Sequence, residues 1–246
     1  MRRVRAIDGD LFRPRGQVRR EIELAESDPL EVVEVLGGRL SEERRRRIDD
    51  VVAHRTRTIA AVVDGVHDPH NTAAVIRTAD AYGIQDVHVV EGERKFLSSR
   101  KVTQGAHKWV DISVWSSAEP FFARMRQQGR QVLVAETEAS DDVREIDVDR
   151  PTALVFGNEA EGISPLMRER ADGAFRIPMH GFAESFNVSV AAAIALSILR
   201  DDGRGDLSPE EADVLRARFY LRAVRAGYDI VMLERGRRRG SGPGDQ

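Results

Sequence analysis

The sequence predicts an α/β fold: a mostly parallel sheet with helices on both faces, and further helices flanking it at the N- and C-terminal ends. Three observations carry that prediction. Short apolar runs of strand length alternate with stretches of helical period from residue 57 to residue 200. Glycines and polar clusters punctuate the changes of pattern. The chain has 246 residues, 41% of them hydrophobic, which suits one such domain with appended helices.

Residues 1–40 read as a partly ordered N-terminal extension, with mixed charge, Gly37-Gly38 and no firm period. Residues 41–56 read as a basic helix, capped by Ser41 and carrying Glu42 and Glu43 in its first turn, where acids complement the helix dipole. The main domain spans 57–200, with strands expected at 59–63, 87–90, 112–115, 131–135, 152–156 and 175–177. Helices are expected at 72–82, 118–128, 164–171 and 187–199. The first of these puts Ala74, Val75, Thr78, Ala79 and Tyr82 on one face and stops at Gly83. The second turns Phe121, Phe122 and Met125 inward. Residues 201–235 form a linker and one C-terminal helix, with Pro209 just inside its start. Residues 236–246 read as a basic disordered tail.

The chain has no cysteine, which excludes disulfides, thiolate metal sites and a cysteine nucleophile. No apolar run reaches about 18 residues, so no membrane span is predicted. The charged N-terminus lacks the apolar stretch of a secretory signal, and a cytoplasmic address is expected. The net charge of −3 argues against a uniformly basic nucleic-acid binder. Yet the basic residues are almost all arginine, with lysine only at 95, 101 and 108, and arginines cluster at 44–47 and at 235 and 237–239. Such clusters read either as phosphate-binding patches or as solvated helix faces.

In open α/β sheets ligands gather at the carboxyl ends of the strands, and three loops there are candidates. The first, 64–71, runs from Asp64 to Asn71 and leads into a helix bearing Arg77. Asn71 or Thr72 can cap that helix. Arg77, on its polar side, is either a surface residue or a bidentate phosphate ligand. The second, 156–164, sets Asn158, Glu159, Ala160 and Glu161 between Gly157 and Gly162, and glycine lets backbone approach a ligand closely. It is neither a Walker loop nor a dinucleotide fingerprint. The third, 177–189, carries Ser185, Asn187 and Ser189 into an Ala-rich helix. Capping accounts for one of those polar groups but does not need all three.

Taken together and in this order, the three segments resemble the motifs of the SPOUT 2'-O-methyltransferases: DGVHDPHNTAAVIRTADAYG, LVFGNEAEGIS and IPMHGFAESFNVSVAAAIAL. GAHKWVDISVW and EERRRRIDDVVAHR further resemble the TrmH subfamily of tRNA (guanosine-2'-O)-methyltransferases, and the likeness covers about residues 41–200. The resemblance implies a deep C-terminal trefoil knot, S-adenosylmethionine as methyl donor, no metal, and a homodimer with its site at the interface. It implies that the donor is held by Gly157, Asn158, Glu159, Ala160 and Glu161, by Ile177, Met179 and Phe186, and by Ala135 and Glu136. It implies catalytic roles for Asn71, Arg77, Glu159, Ser185 and Asn187. Arg77 would then activate the ribose hydroxyl, or clamp the phosphate beside it, since a guanidinium stays protonated.

Two departures from the family pattern stand out. Ala160 and Glu161 replace the usual lysine and its bulky or polar neighbour, and Glu184-Ser185-Phe186-Asn187 replaces Gln-Ser-Leu-Asn. The expected substrate is tRNA, at the D-loop guanosine at position 18, with ribosomal RNA as the alternative. A non-catalytic RNA-binding protein on the same scaffold is the reading from another class, and retention of the five polar residues argues against it.

Overall fold

A parallel strand covered on both faces needs apolar residues at successive positions, not alternating ones. β1 (Thr56–Asp64) meets that demand, with Ile59, Ala60, Ala61, Val62 and Val63 all buried. A computed structural model describes residues 28–66, 68–91, 108–158 and 160–240, which fall into two compact units, 55–206 and 28–54 with 207–240.

The unit 55–206 is built on a seven-stranded sheet. After β1 come β2 (Ile84–Val90), β3 (Asp111–Trp115), β4 (Gln131–Ala135), β5 (Asp141–Asp142), β6 (Thr152–Phe156) and β7 (Gly173–Arg176). The order is β3-β2-β1-β6-β4-β7-β5, and every pair is parallel. One apolar layer gathers Val63, Ile76, Phe156, Phe175 and Leu196, and the other Phe121, Phe122, Met125, Val155 and Met167. Strands supply Val63, Val155, Phe156 and Phe175, and the others come from the helices α3 (Pro69–Ala81), α4 (Ala118–Gln127), α5 (Pro165–Arg170) and α6 (Val188–Leu199). The last predicted strand lies at 173–176 instead of 175–177. Gly173 and Ala174 have low strand propensity, but they pair with Leu133 and Val134 of β4, and pairing decides.

Several arginines serve the fold. At the amino ends of the strands Arg57 bridges Asp86 and Asp111, and Arg130 donates to the Arg57 and Thr58 carbonyls at 2.7 Å each. Asp206 closes the edge by accepting from the N–H groups of Arg57 at 2.8 Å and Thr58 at 3.1 Å.

His88 lies buried beside Trp115 and Phe121, and its Nδ1 accepts from the Trp115 indole N–H at 3.2 Å. Burial, then the charges of Arg130 and Arg124, push its pKa down to about 3. The unfolded imidazole titrates near about 6.5, so between those two values the unfolded chain binds the extra proton. The stability that follows is complete above the upper value and is lost as pH falls below it. His88→Gln keeps an acceptor for Trp115 without titrating near neutrality. Between pH 6 and 4 its unfolding free energy, from denaturant titration, should fall less steeply than wild type by about 1.4 kcal/mol per pH unit. Equal slopes would show that His88 carries no linkage.

The unit of 28–54 and 207–240 is helical. It contains α1 (Pro29–Gly37), α2 (Glu42–Ala53), α7 (Pro209–Ala223) and α8 (Gly227–Gly240). Val32, Leu36, Ile48, Val52, Leu215, Phe219 and Val231 are buried there. The extension 1–40 contains α1, opened by an Asp28 cap and Pro29. Two expectations change. The single C-terminal helix is two: the first ends where Val224 turns extended at φ −90° and ψ 126°, and Ala226, left-handed at φ 55°, leads into the second at Gly227. The disordered tail 236–246 is helical as far as Gly240, while 241–246 lie outside the described residues. Glu31 and Glu34 hold that last stretch, pairing with Arg235 at 3.4 Å and Arg238 at 3.2 Å. On α2, Arg46 pairs with Glu42 and Arg47 with Asp50 at 3.1 Å. Such exposed pairs add little stability, but they offset the charge of the arginine clusters. Among the described residues no helix is long and apolar enough to cross a membrane.

Candidate active site

The strand order sets the carboxyl ends of β1, β6, β4 and β7 side by side, and those of β1, β6 and β7 run into the three predicted loops. β1 ends at Asp64, Gly65 turns the chain at φ 63°, and α3 begins at Pro69. The cap of α3 is Asp68, which accepts from the His70 N–H at 2.8 Å. This corrects the expected cap at Asn71 or Thr72: an acid followed by proline opens the helix three residues earlier. Asn71 lies in the first turn, half-buried, and its Oδ1 accepts from the Asn187 Nδ2 at 3.3 Å. Arg77 follows six residues on, about 9 Å along the helix axis. It is exposed and pairs with no carboxylate among the described residues.

Asn187 is also the cap of α6, its Oδ1 accepting from the Ser189 N–H at 2.9 Å and the Ser189 hydroxyl at 2.6 Å. Capping therefore engages two of the three polar groups at this helix start. Ser185 is exposed and forms no hydrogen bond among the described residues. Ile177, Met179 and Phe186 are half-buried along the same loop, and Phe182 is fully exposed.

The loop after β6 closes on itself. The Asn158 N–H donates to the Gly162 carbonyl at 2.9 Å, and the Gly162 N–H to the Asn158 carbonyl at 2.8 Å. The Asn158 side chain accepts from the N–H groups of Ala160 at 2.8 Å and Glu161 at 3.2 Å, and donates to the Gly65 carbonyl at 3.0 Å. A Cβ on Gly157 would overlap the Gly162 carbonyl and come within 2.6 Å of the Ile163 nitrogen. Glycine is thus required here by the loop's own backbone. Ala160 and Glu161 are exposed, and Glu159 lies outside the described residues. Beyond β4, Ala135 is half-buried, the Glu136 N–H donates to the Phe175 carbonyl at 2.9 Å, and the Glu136 carboxylate pairs with Arg168.

Asp64 was not among the residues singled out in the sequence, although it closes a buried strand at a candidate loop. It is only 2% exposed, and its Oδ2 accepts from the Ser164 N–H at 2.8 Å. Burial raises its pKa, opposed by the hydrogen bonds from Ser164. It borders a cleft of about 430 Å³ with Glu91, Ser117, Asn158, Gly162 and Ser164. Asn71, Arg77, Ser185 and Asn187 do not line that cleft.

Residues 58–197, more than half of the chain, match the model of the SpoU rRNA Methylase family. The chain belongs to the SpoU methylase family. Among its SpoU relatives is the tRNA (guanosine(18)-2'-O)-methyltransferase of Thermus thermophilus, 39% identical over 157 residues that make up 63% of this chain and 81% of the relative. The solved TrmH/SpoU tRNA modifying enzyme of A. aeolicus superposes with a TM-score of 0.66 at 33% identity, over 75% of this chain and 98% of that one. The AdoMet-bound rRNA methyltransferase of Sinorhizobium meliloti does so at 0.54 and 32%, over 58% and 56%. The span matched to the SpoU family holds every candidate residue from Asp64 to Asn187.

Proposed function

We propose that this protein transfers a methyl group from S-adenosylmethionine to a ribose 2'-hydroxyl of RNA, at the D-loop guanosine at position 18 of tRNA. One observation carries the reading. Asn71 and Asn187, from the first and third motifs, are hydrogen-bonded to each other at the strand ends, with the exposed Arg77 on the same helix. This arrangement falls inside the span shared with the SpoU family, whose T. thermophilus member is named for that reaction.

The residues at the strand ends suit the donor. Half-buried Ile177, Met179 and Phe186 offer an apolar wall for a purine, and Glu136 and Glu161 offer acceptors for ribose hydroxyls. When bound, the donor supplies an electrophilic methyl on a sulfonium with its own leaving group. Arg77, through its guanidinium fork, holds the phosphate next to the target ribose and so orients the hydroxyl. Ser185 and Asn187 bind polar groups at the start of α6. Glu159 belongs to the same set.

The reading extends to a trefoil knot, a homodimer and a cytoplasmic setting. The crossovers that set β6 between β1 and β4, then β7 beyond β4, support the knot. Exposed Phe182 and Val190 support a face for a second copy. Ribosomal RNA is the second reading. It is favoured by the S. meliloti neighbour and by the carboxylates that pair arginines of α2 and α8, which weaken the reading of those clusters as phosphate-binding patches for tRNA.

Incubation with methyl-labelled S-adenosylmethionine and either total tRNA or rRNA, followed by mapping of the labelled ribose, tests both. Label at guanosine 18 of tRNA is the expected result. Label in rRNA alone would overturn the tRNA assignment, and label in neither would overturn the enzymatic reading.

A further inference from the structure

The first and second motif loops are joined at two points. The Asp64 carboxylate accepts from the Ser164 N–H at 2.8 Å, and the Gly65 carbonyl accepts from the Asn158 side chain at 3.0 Å. Asn158 is the second residue after β6, and Ser164 is the last residue before α5. The two bonds therefore grip loop 157–164 by both ends. Inside the loop the Asn158 Oδ1 holds the Ala160 and Glu161 N–H groups, so the bond from Asn158 to Gly65 also fixes the turn at its tip. A buried carboxylate is costly unless hydrogen-bonded, and an apolar residue would extend the buried run Ile59, Ala60, Ala61, Val62 and Val63 at less cost. Asp64 instead gives its charge to the backbone of a loop a hundred residues away.

We infer that Asp64 is a positioning residue for donor binding: by holding Ser164, it keeps the backbone of loop 157–164 in the shape that receives S-adenosylmethionine. This rests on the reading of loop 157–164 as part of the donor site. Asp64 acts through the loop and does not touch the reacting atoms.

The bond can be broken from either side. Asp64→Ala removes the acceptor. Ser164→Pro removes the N–H at a residue whose φ is already −60°, the value proline adopts. Asp64→Asn keeps a carbonyl oxygen that can accept from Ser164. Dissociation constants for S-adenosylmethionine would be measured by calorimetry on the full chain, at a temperature where circular dichroism shows each variant folded. Steady-state KM values for donor and tRNA would be measured alongside.

Asp64→Ala and Ser164→Pro should each weaken donor binding about tenfold, a loss on the scale of one buried charge-assisted hydrogen bond. Donor KM should rise while tRNA KM stays unchanged. Asp64→Asn should recover most of the affinity, and the double variant should bind no worse than either single. Folded Asp64→Ala and Ser164→Pro proteins that bind donor as wild type does would overturn the inference and leave the functional reading intact. If Asp64→Ala does not fold, Ser164→Pro decides alone. A wild-type chain that binds no donor would overturn the functional reading first.

Discussion

Arg77→Ala should lose methyl transfer by two to four orders of magnitude, roughly the range for a group acting on the transition state, while binding S-adenosylmethionine as wild type does. The side chain is exposed and pairs with no carboxylate among the described residues, so truncation removes nothing the fold uses, and the melting temperature should hold. That sets it apart from Arg57 and Arg130, which brace the sheet, and from Arg235 and Arg238, which brace α8. Arg77→Lys should recover only part of the rate, because an ammonium lacks the bidentate fork. A tRNA whose phosphate beside the target ribose is replaced by methylphosphonate separates the two roles. If Arg77 clamps that phosphate, wild type should slow on the modified RNA and Arg77→Ala should slow no further. Full additivity of the two losses would favour direct activation of the hydroxyl. Single-turnover methylation with saturating donor is the measurement.

The parts of the fold legible in the sequence are those whose signal is local. β6 lies where its apolar run lies, because a strand buried on both faces needs such a run, and β4 also lies on its run although only Val132 and Val134 are fully buried there. The three loops at the strand ends were legible from glycines and polar clusters. Their junctions were not. Nothing in the local pattern says that Asn158 reaches Gly65, or Asp64 reaches Ser164, since those contacts follow from β1 and β6 being neighbours in the sheet. Helix α1 did leave a local signal, Asp28-Pro29 with Val32 and Leu36 one turn apart, but it sits among mixed charges ahead of two glycines. Asn71 shows the opposite error. It looks like a cap, and Asp68 holds that place, which frees Asn71 to meet Asn187.

Gly157→Ala should unfold earlier and bind donor more than tenfold more weakly, because the methyl group would sit where the loop's own backbone already lies. The obstruction is the Gly162 carbonyl and the Ile163 nitrogen, and backbone cannot swing aside as a side chain can. Relief would require parting the hydrogen-bonded pair between Asn158 and Gly162 and shifting Ile163, which is buried against the α4–α5 layer. Overpacking of that kind costs about 1–3 kcal/mol. Gly181→Ala is the matched comparison: a Cβ there meets nothing within 4 Å, so its melting temperature should not move. The two variants also distinguish two reasons for glycine at 157. If the residue is needed only to let the donor approach, Gly157→Ala should keep wild-type thermal stability and lose affinity alone. If it is needed for the loop to close, stability and affinity should fall together, and thermal unfolding beside donor calorimetry reads both.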